Sequence, residues 1–260
     1  MSLLGLDTST AASAACVLRA DGERFERVPD PARLAEPPGH GRELLPAVVD
    51  VMARAGLAWD DLEAIAVGRG PGAFTGLRVG IATARALAHA AGLPLRGVSS
   101  LAALAAGAAG GAALAADAAG QAALAPDAAR QAALAAGQAG LVGAVAGPAV
   151  AGGPTPTLAV IDARRGEVFA ALEGVLAPWV GPPEELVTRA GSRARRAVGD
   201  GSVRFREVLE ASGIEVPPDS SPLHVVRALH VCRLAEGAPG GPPETVLPDY
   251  LRAPDAVALP

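Results

Sequence analysis

The sequence predicts an α/β protein of two lobes, in which mixed sheets are flanked by helices and an Ala/Gly-rich insertion separates the halves. Three observations predict it. Over residues 1–102 short apolar runs of strand length alternate with apolar residues at helical spacing; a second strand hairpin followed by helices starts at Thr157; and between them the periodic signal disappears. A chain of 260 residues can form one large domain or two smaller ones, each with a buried core. Half of the residues are hydrophobic but only 3% are aromatic, so Leu, Val and Ile must fill that core.

The first lobe opens with a strand meander. Leu3 to Leu6 reads as a short buried strand, Asp7-Thr8-Ser9-Thr10 as a polar turn, Ala12 to Leu18 as the second strand, and Glu23 to Val28 as a third, after the tight-turn pair Asp21-Gly22. The Pro-rich stretch Pro29 to Gly39 is a loop. Leu44, Leu45, Val48, Val49 and Met52 then recur at helical spacing and Gly56 ends the helix. Leu62 to Val67 is a further buried strand, broken by Gly68-Arg69-Gly70-Pro71-Gly72. A long helix follows from Thr75 to Ala91, stopped by Gly92 and Pro94, and Leu95 to Val98 is the next strand.

The expected domains are a first lobe over 1–102, completed by a helix over 221–236, an Ala/Gly-rich low-complexity insertion over 103–156, and a smaller second lobe with a tail over 157–260. From Ala112 the insertion repeats every ten residues. Ten is not a whole number of helical turns, so Leu114, Leu124 and Leu134 drift around any helix and form no lasting apolar stripe. Gly107 to Pro156 is therefore expected to be weakly helical or without fixed structure. In the second lobe, Thr157 to Ile161 and Glu167 to Leu172 read as a hairpin around Asp162-Ala163-Arg164-Arg165-Gly166. Two Pro-rich and helical pieces come next, and helices are expected over Phe205 to Ala211 and Ser221 to Glu236. The last has Ser221 as N-cap, Pro222 at its first position, and Leu223, Val226, Leu229 and Leu234 inside. Each half thus opens with a hairpin whose turn carries an Asp, the arrangement of duplicated actin-like (ribonuclease H-like, ASKHA) folds.

Composition excludes several chemistries. All 22 basic residues are arginine, so lysine catalysis is ruled out, and a net charge of −5 gives no general field for nucleic acid. Cys16 and Cys232 lie in apolar patterns without a near partner in sequence, as expected of buried thiols in a reducing compartment. His40, His89, His224 and His230 never stand three or four apart, so no zinc pair forms on a helix face. No strongly apolar run reaches eighteen residues and Met1 to Asp7 lacks a leader pattern; a cytoplasmic protein without membrane contact is expected.

Candidate chemistry is confined to a few turns. Asp7, Thr8, Ser9 and Thr10 offer hydroxyls and amides between two strands, which can hold phosphate or simply satisfy the turn. Gly199, Asp200 and Gly201 follow a strand in a glycine turn able to accommodate an adenosine. Arg164 and Arg165, however, stand where a phosphate cradle would want glycines, so these positions predict weak nucleotide or phosphate contacts only. The Gly68–Gly80 segment joins strand to helix but does not fit a dinucleotide fingerprint, because Pro71 stiffens the turn and Phe74 blocks close approach. Ser99-Ser100 lacks a nucleophile elbow and is better placed to cap a helix.

The run Leu62-Glu63-Ala64-Ile65-Ala66-Val67-Gly68-Arg69-Gly70-Pro71-Gly72-Ala73-Phe74-Thr75-Gly76-Leu77-Arg78-Val79-Gly80, continuing through Ala84, Leu87 and Ala88 to Gly97-Val98-Ser99-Ser100-Leu101, closely resembles the signature of the TsaB (YeaZ-like) family. Leu4 to Thr10, His40 to Pro46, Ile161 to Val168 and Pro248 to Arg252 agree as well; the insertion does not, and Ala73 replaces a more usual serine. The family is the dimerisation subunit of the bacterial tRNA threonylcarbamoyladenosine (t6A) complex. The resemblance implies an actin-like fold and a signature turn built from Gly70, Pro71, Gly72, Phe74, Thr75, Gly76 and Arg78. Its catalytic relative TsaD has two histidines four apart after the long helix; here Ser100 and Leu104 occupy those places, and leucine cannot ligate a metal. The resemblance therefore implies an accessory, non-catalytic subunit with no metal and no catalytic residue of its own.

The same resemblance implies a TsaD-like partner bound through the first-lobe helices, with Leu44, Val48, Met52, Thr83, Leu87 and Ala91 as candidate contacts. It also implies a TsaE-like ATPase in the complex, self-pairing when the partner is absent, only indirect contact with tRNA, and no tightly bound cofactor beyond weak ATP or ADP at the complex interface. An independent ATP-dependent kinase-like enzyme of the same fold is the alternative, and a metallopeptidase fails on the missing ligand pair.

Overall fold

The computed structural model describes residues 1–109 and 155–252. Met1–Ala108 and Pro156–Pro260 form one unit; the other, Ala109–Thr155, lies almost wholly outside the described residues, as does the decapeptide repeat. The protein is an α/β structure with two mixed sheets flanked by helices, of the actin-like (ASKHA) type.

Strands β1 (Leu3–Asp7), β2 (Ala14–Leu18) and β3 (Arg24–Arg27) form the expected antiparallel meander, and β4 (Ala64–Gly68) and β5 (Leu95–Val98) add in parallel on the other side of β1. The order is β3-β2-β1-β4-β5. Parallel strands need a crossover, and helices α1 (His40–Ala55) and α2 (Phe74–Ala91) provide it. The second sheet repeats the plan: β6 (Thr157–Arg164), β7 (Glu167–Leu172) and β8 (Leu176–Gly181) are an antiparallel meander, and β9 (Arg196–Val198) joins β6 in parallel, giving β8-β7-β6-β9.

Side chains alternate across the first sheet as a period of two requires. Leu4, Leu6, Ala15 and Val17 pack with α1 and α2, whereas Leu3, Ala14, Cys16 and Leu18 face a second core. That second core holds α3 (Ser100–Ala109) and α7 (Ala228–Glu236) and reaches Ala159 and Ile161 of β6, so the sheets share it. The outer face of the second sheet packs on α4 (Pro183–Ala190) and α6 (Arg206–Ala211), which follows the short helix α5 (Asp200–Arg204).

Helix α7 lies tight on β1: a Cβ at Gly5 would stand 2.5 Å from Cys232 Sγ and 2.8 Å from the Ala228 carbonyl. The two cysteines, distant in sequence, are neighbours there, both free and fully buried, with Cys232 Sγ 3.7 Å from the Cys16 carbonyl. Burial raises the Cys16 thiol well above its ordinary value, and the Cys232 hydrogen bond adds to this.

Four expectations need correction. The single helix over 221–236 is broken: a 3-10 turn covers Pro222–His224, Val225 and Arg227 are extended, and α7 begins only at Ala228. His224 is anchored to the Gly199 amide and the Pro217 carbonyl, and Arg227 is drawn into the buried carboxylate of Glu26, so the backbone between them cannot wind. Leu234, expected inside, is exposed. Strand β8 was not foreseen because Pro178 interrupts it; as an edge strand it tolerates a proline. Residues 103–109, expected in the insertion, form most of α3, with Ala103, Leu104 and Ala108 in the shared core. No helix among the described residues is long and apolar enough to cross a membrane.

Candidate functional site

Two features compete for a functional role: the polar turn after β1 and the outer face of α1 and α2. The turn is closed. Asp7, Thr8, Ser9 and Thr10 are all buried. Asp7 Oδ1 accepts from the Ser9 amide at 2.8 Å and from Ser9 Oγ at 2.6 Å, while Thr8 Oγ1 donates to the Gly76 carbonyl at 2.8 Å. What covers the turn is the start of α2. Gly76 and Gly80 stand four apart and so share one face of α2, and Gly72 lies in the turn just before it. A Cβ at Gly72 would come within 2.7 Å of Ser9 Cβ, and one at Gly76 or Gly80 would collide with the Thr8 carbonyl or hydroxyl. The glycines of the signature thus let a helix lie directly on the turn.

The signature turn itself enters a buried polar knot. Gly70 sits at φ 109° before a cis Pro71, and the Ala73 amide donates to the Ser9 carbonyl at 2.7 Å. Ser100 Oγ donates to Asp7 Oδ2 at 2.7 Å and accepts from the Gly70 amide at 3.3 Å. Burial pushes the Asp7 carboxyl above its ordinary value, against the lowering effect of its bonds from Ser9 and Ser100. Leu104 is fully buried in the shared core, and a Cβ at Gly199 would lie 2.8 Å from its Cδ2. The two places at issue for metal ligation are therefore a hydrogen-bond donor and a core side chain. Among the described residues no group of three or more His, Cys, Asp or Glu could hold a metal ion.

The second glycine turn, which follows β9, is packed against the neighbouring strand β6. A Cβ at Gly199 would strike the Val160 carbonyl, and one at Gly201 would lie 2.9 Å from Ile161 C and Val160 Cγ1. Asp200 is half-buried and accepts from the Asp162 amide at 3.0 Å. Its carboxyl is raised to about 6, chiefly by burial and further by the Asp162 charge, against the hydrogen bond from the Asp162 amide. Asp162 in turn pairs with Arg164 at 3.2 Å and Arg204 at 3.4 Å. Arg164 and Arg165 take left-handed backbone angles in the hairpin turn, at φ 64° and 54°. Of the seven residues named for phosphate or nucleotide contact, Asp7, Thr8, Ser9 and Thr10 are buried, and Asp200 lines a cavity.

The helical face differs. Leu44, Val48 and Met52, expected at a partner, are buried against the chain's own sheet, because the stripe 44, 48, 51, 52, 55 is the one that faces the core. The exposed large hydrophobic residues of α1 are Leu45, at 50%, and Val49, at 66%. They stand beside the buried stripe, and an amphipathic helix with apolar residues off its core stripe is the signal that could have found them. On α2, Thr83, Leu87 and Ala91 are half-buried, while Ala82, Ala86 and Ala90 are exposed. At the start of α2, Phe74 and Thr75 are exposed. Arg78 stacks over the Phe74 ring at 3.8 Å and donates to the Tyr250 hydroxyl at 3.1 Å.

A family model described as "TsaD: tRNA N6-adenosine threonylcarbamoyltransferase" matches residues 36–150. The chain is 40% identical over 111 residues to the tRNA threonylcarbamoyladenosine biosynthesis protein TsaB of Escherichia coli, covering 42% of this chain and 44% of that one. It is 47% identical over 62 residues to the tRNA N6-adenosine threonylcarbamoyltransferase of Moorella thermoacetica, covering 24% and 18%. These matches span less than half the length of the curated relatives. Among solved structures, YeaZ from Pseudomonas aeruginosa superposes with a TM-score of 0.61 at 26% identity, covering 96% of this chain and 99% of the other.

Proposed function

We propose that this chain, a homologue of the TsaB/YeaZ proteins, is the non-catalytic subunit of a complex that forms N6-threonylcarbamoyladenosine beside the tRNA anticodon. It acts by pairing with a TsaD-like catalytic subunit. One observation carries the reading: polar groups that could do chemistry are buried and internally bonded, whereas α1 leaves Leu45 and Val49 in solvent and α2, which packs against α1, leaves small residues exposed. Apolar side chains flanked by alanines let a partner helix approach closely and bury area.

In this reading a TsaE-like ATPase joins the complex in the cytoplasm, tRNA is engaged through the partner, and the same face supports self-pairing when the partner is missing. ATP or ADP at the complex interface is held weakly. Reconstitution tests the proposal. Threonylcarbamoyl-adenylate, a TsaD-like and a TsaE-like subunit and tRNA are combined with and without this chain, and modification is expected only with it. Equal yield in its absence refutes the accessory role, and sustained ATP turnover by the isolated chain would favour the kinase-like alternative.

A further inference from the structure

Helix α2 lies between two neighbours on one face of the first sheet. Helix α1 packs on β2 and β3, and α2 packs on β1 and β4. The chain's tail comes in beside β5: Leu95 bridges to Gly241, and a Cβ at Gly97 would stand 2.9 Å from Val246 Cγ1. From there residues 246–250 run back along α2. Arg85 donates to the Val246 carbonyl, the Asp249 amide donates to the Arg69 carbonyl at 2.7 Å, and the Tyr250 ring centroid lies 5.4 Å from that of Phe74.

The outer stripe of α2 is therefore flanked on both sides. Phe74, Arg78, Ala82 and Ala86 stand four apart and are exposed. Leu45 and Val49 of α1 flank them on one side; on the other, Leu247 and Tyr250 are 60% and 40% exposed. A few alanines with Leu45 and Val49 make a small surface beside the roughly 800 Å² per partner that a stable complex buries. The tail supplies the missing area. Arg78 adds a directed charge: its guanidinium lies over the Phe74 ring at 3.8 Å and its Nε donates to the Tyr250 hydroxyl at 3.1 Å. Among the described residues no carboxylate pairs with it, so the terminal N–H fork is held in place with donors to spare.

We propose that the tail segment 246–250 is a third element of the partner-binding face, and that Arg78, fixed between Phe74 and Tyr250, receives a carboxylate of the catalytic partner. The inference rests on the pairing reading given above. Rigid rings and arginine lose little conformational freedom on burial, which is why Tyr and Arg dominate interface energetics. The cluster stands at one end of the alanine stripe. A carboxylate bound there fixes the register of a helix laid along the alanines, which apolar contact alone leaves free to slide.

Calorimetric titration of the full chain with its cognate TsaD-like subunit tests this. Leu247→Glu and Arg78→Gln are each expected to weaken the complex by about tenfold or more, with the Tm unchanged because both side chains are exposed. Raising the salt from about 50 to about 500 mM should weaken the wild-type complex more than that of Arg78→Gln. Amide exchange of the wild type needs no variant: residues 247–251 should gain protection in the complex. The two readings fail separately. Absence of any wild-type complex refutes the pairing and this inference with it. A complex that Leu45→Glu with Val49→Glu disrupts, but that either folded Leu247→Glu or folded Arg78→Gln forms with wild-type affinity, keeps the pairing and overturns the role given to the tail and Arg78. Unchanged exchange over 247–251 overturns it equally.

Discussion

Ser100 Oγ donates to Asp7 Oδ2 at 2.7 Å, deep beneath the start of α2. This hydroxyl joins β1, the signature turn and α3 into one polar knot. Replacing it by alanine leaves a buried carboxylate oxygen without its donor, at a cost of about 1–3 kcal/mol in stability. Urea unfolding of Ser100→Ala, Asp7→Asn and the double variant should show the losses to be non-additive, as expected of partners in direct contact. Additive losses would mean that the bond contributes nothing.

The glycine face of α2 makes a sharper claim. In Gly76→Ala the new methyl meets the Thr8 carbonyl, which is backbone and cannot turn aside, so a loss of about 1–3 kcal/mol is expected. Gly41→Ala, in α1 with no atom within 4 Å of the new methyl, should be neutral or slightly stabilising. Thermal unfolding of the two variants side by side checks the contrast.

Glu26 and Arg227 form a buried ion pair between β3 and the start of α7, and Glu26 Oε1 also accepts from the Leu229 amide at 3.1 Å. Removing the carboxylate takes the ion-pair partner from a buried guanidinium and uncaps the helix. Glu26→Ala should cost about 3–5 kcal/mol, and amide exchange should show α7 opening first. An unchanged exchange pattern in α7 would contradict the capping role.

Much of this frame was legible in the residues, and its gaps have physical causes. The three-strand meander, β4, α2 and β5 follow from apolar runs bounded by Gly, Pro and Asp, and the left-handed caps at Gly56 and Gly92 fall where those glycines stop the apolar pattern. Pro178 hid β8 because local sequence does not reveal that a strand will be an edge. The break at Val225–Arg227 depends on Glu26, about two hundred residues away, so local capping signals favoured one continuous helix. At the candidate site, Leu44, Val48 and Met52 were expected at a partner but face the chain's own sheet, since a stripe of apolar residues does not say whether sheet or partner covers it. The hydroxyls of the first turn looked available for phosphate because nothing in a local reading shows that Gly72, Gly76 and Gly80 bring a helix down upon them.

Burial holds His40, His224 and His230 below their ordinary value, His230 at about 4, whereas Asp200 is raised to about 6. The signs oppose each other. The histidines stabilise the fold above pH 6.5, and that contribution is lost as pH falls, down to about 4 for His230. The Asp200 contribution is complete below pH 3.8 and is lost as pH rises through about 6. His230→Met should therefore flatten the fall in stability between pH 6.5 and 4, by at most about 3 kcal/mol. Asp200→Asn should stabilise at pH 7.5 by on the order of 1 kcal/mol and give no gain at pH 4. Urea titrations at pH 7.5, 6 and 4 read both effects.

The helical face is tested by sedimentation velocity of this chain mixed with its cognate TsaD-like subunit at micromolar concentration. The wild type is expected to form a one-to-one complex. Leu45→Glu combined with Val49→Glu, both at solvent-exposed positions, should keep the Tm and weaken that complex by about a hundredfold or more, the effect of losing a central apolar contact. Separate migration of the wild-type proteins, or undiminished assembly by the folded double variant, would contradict the account.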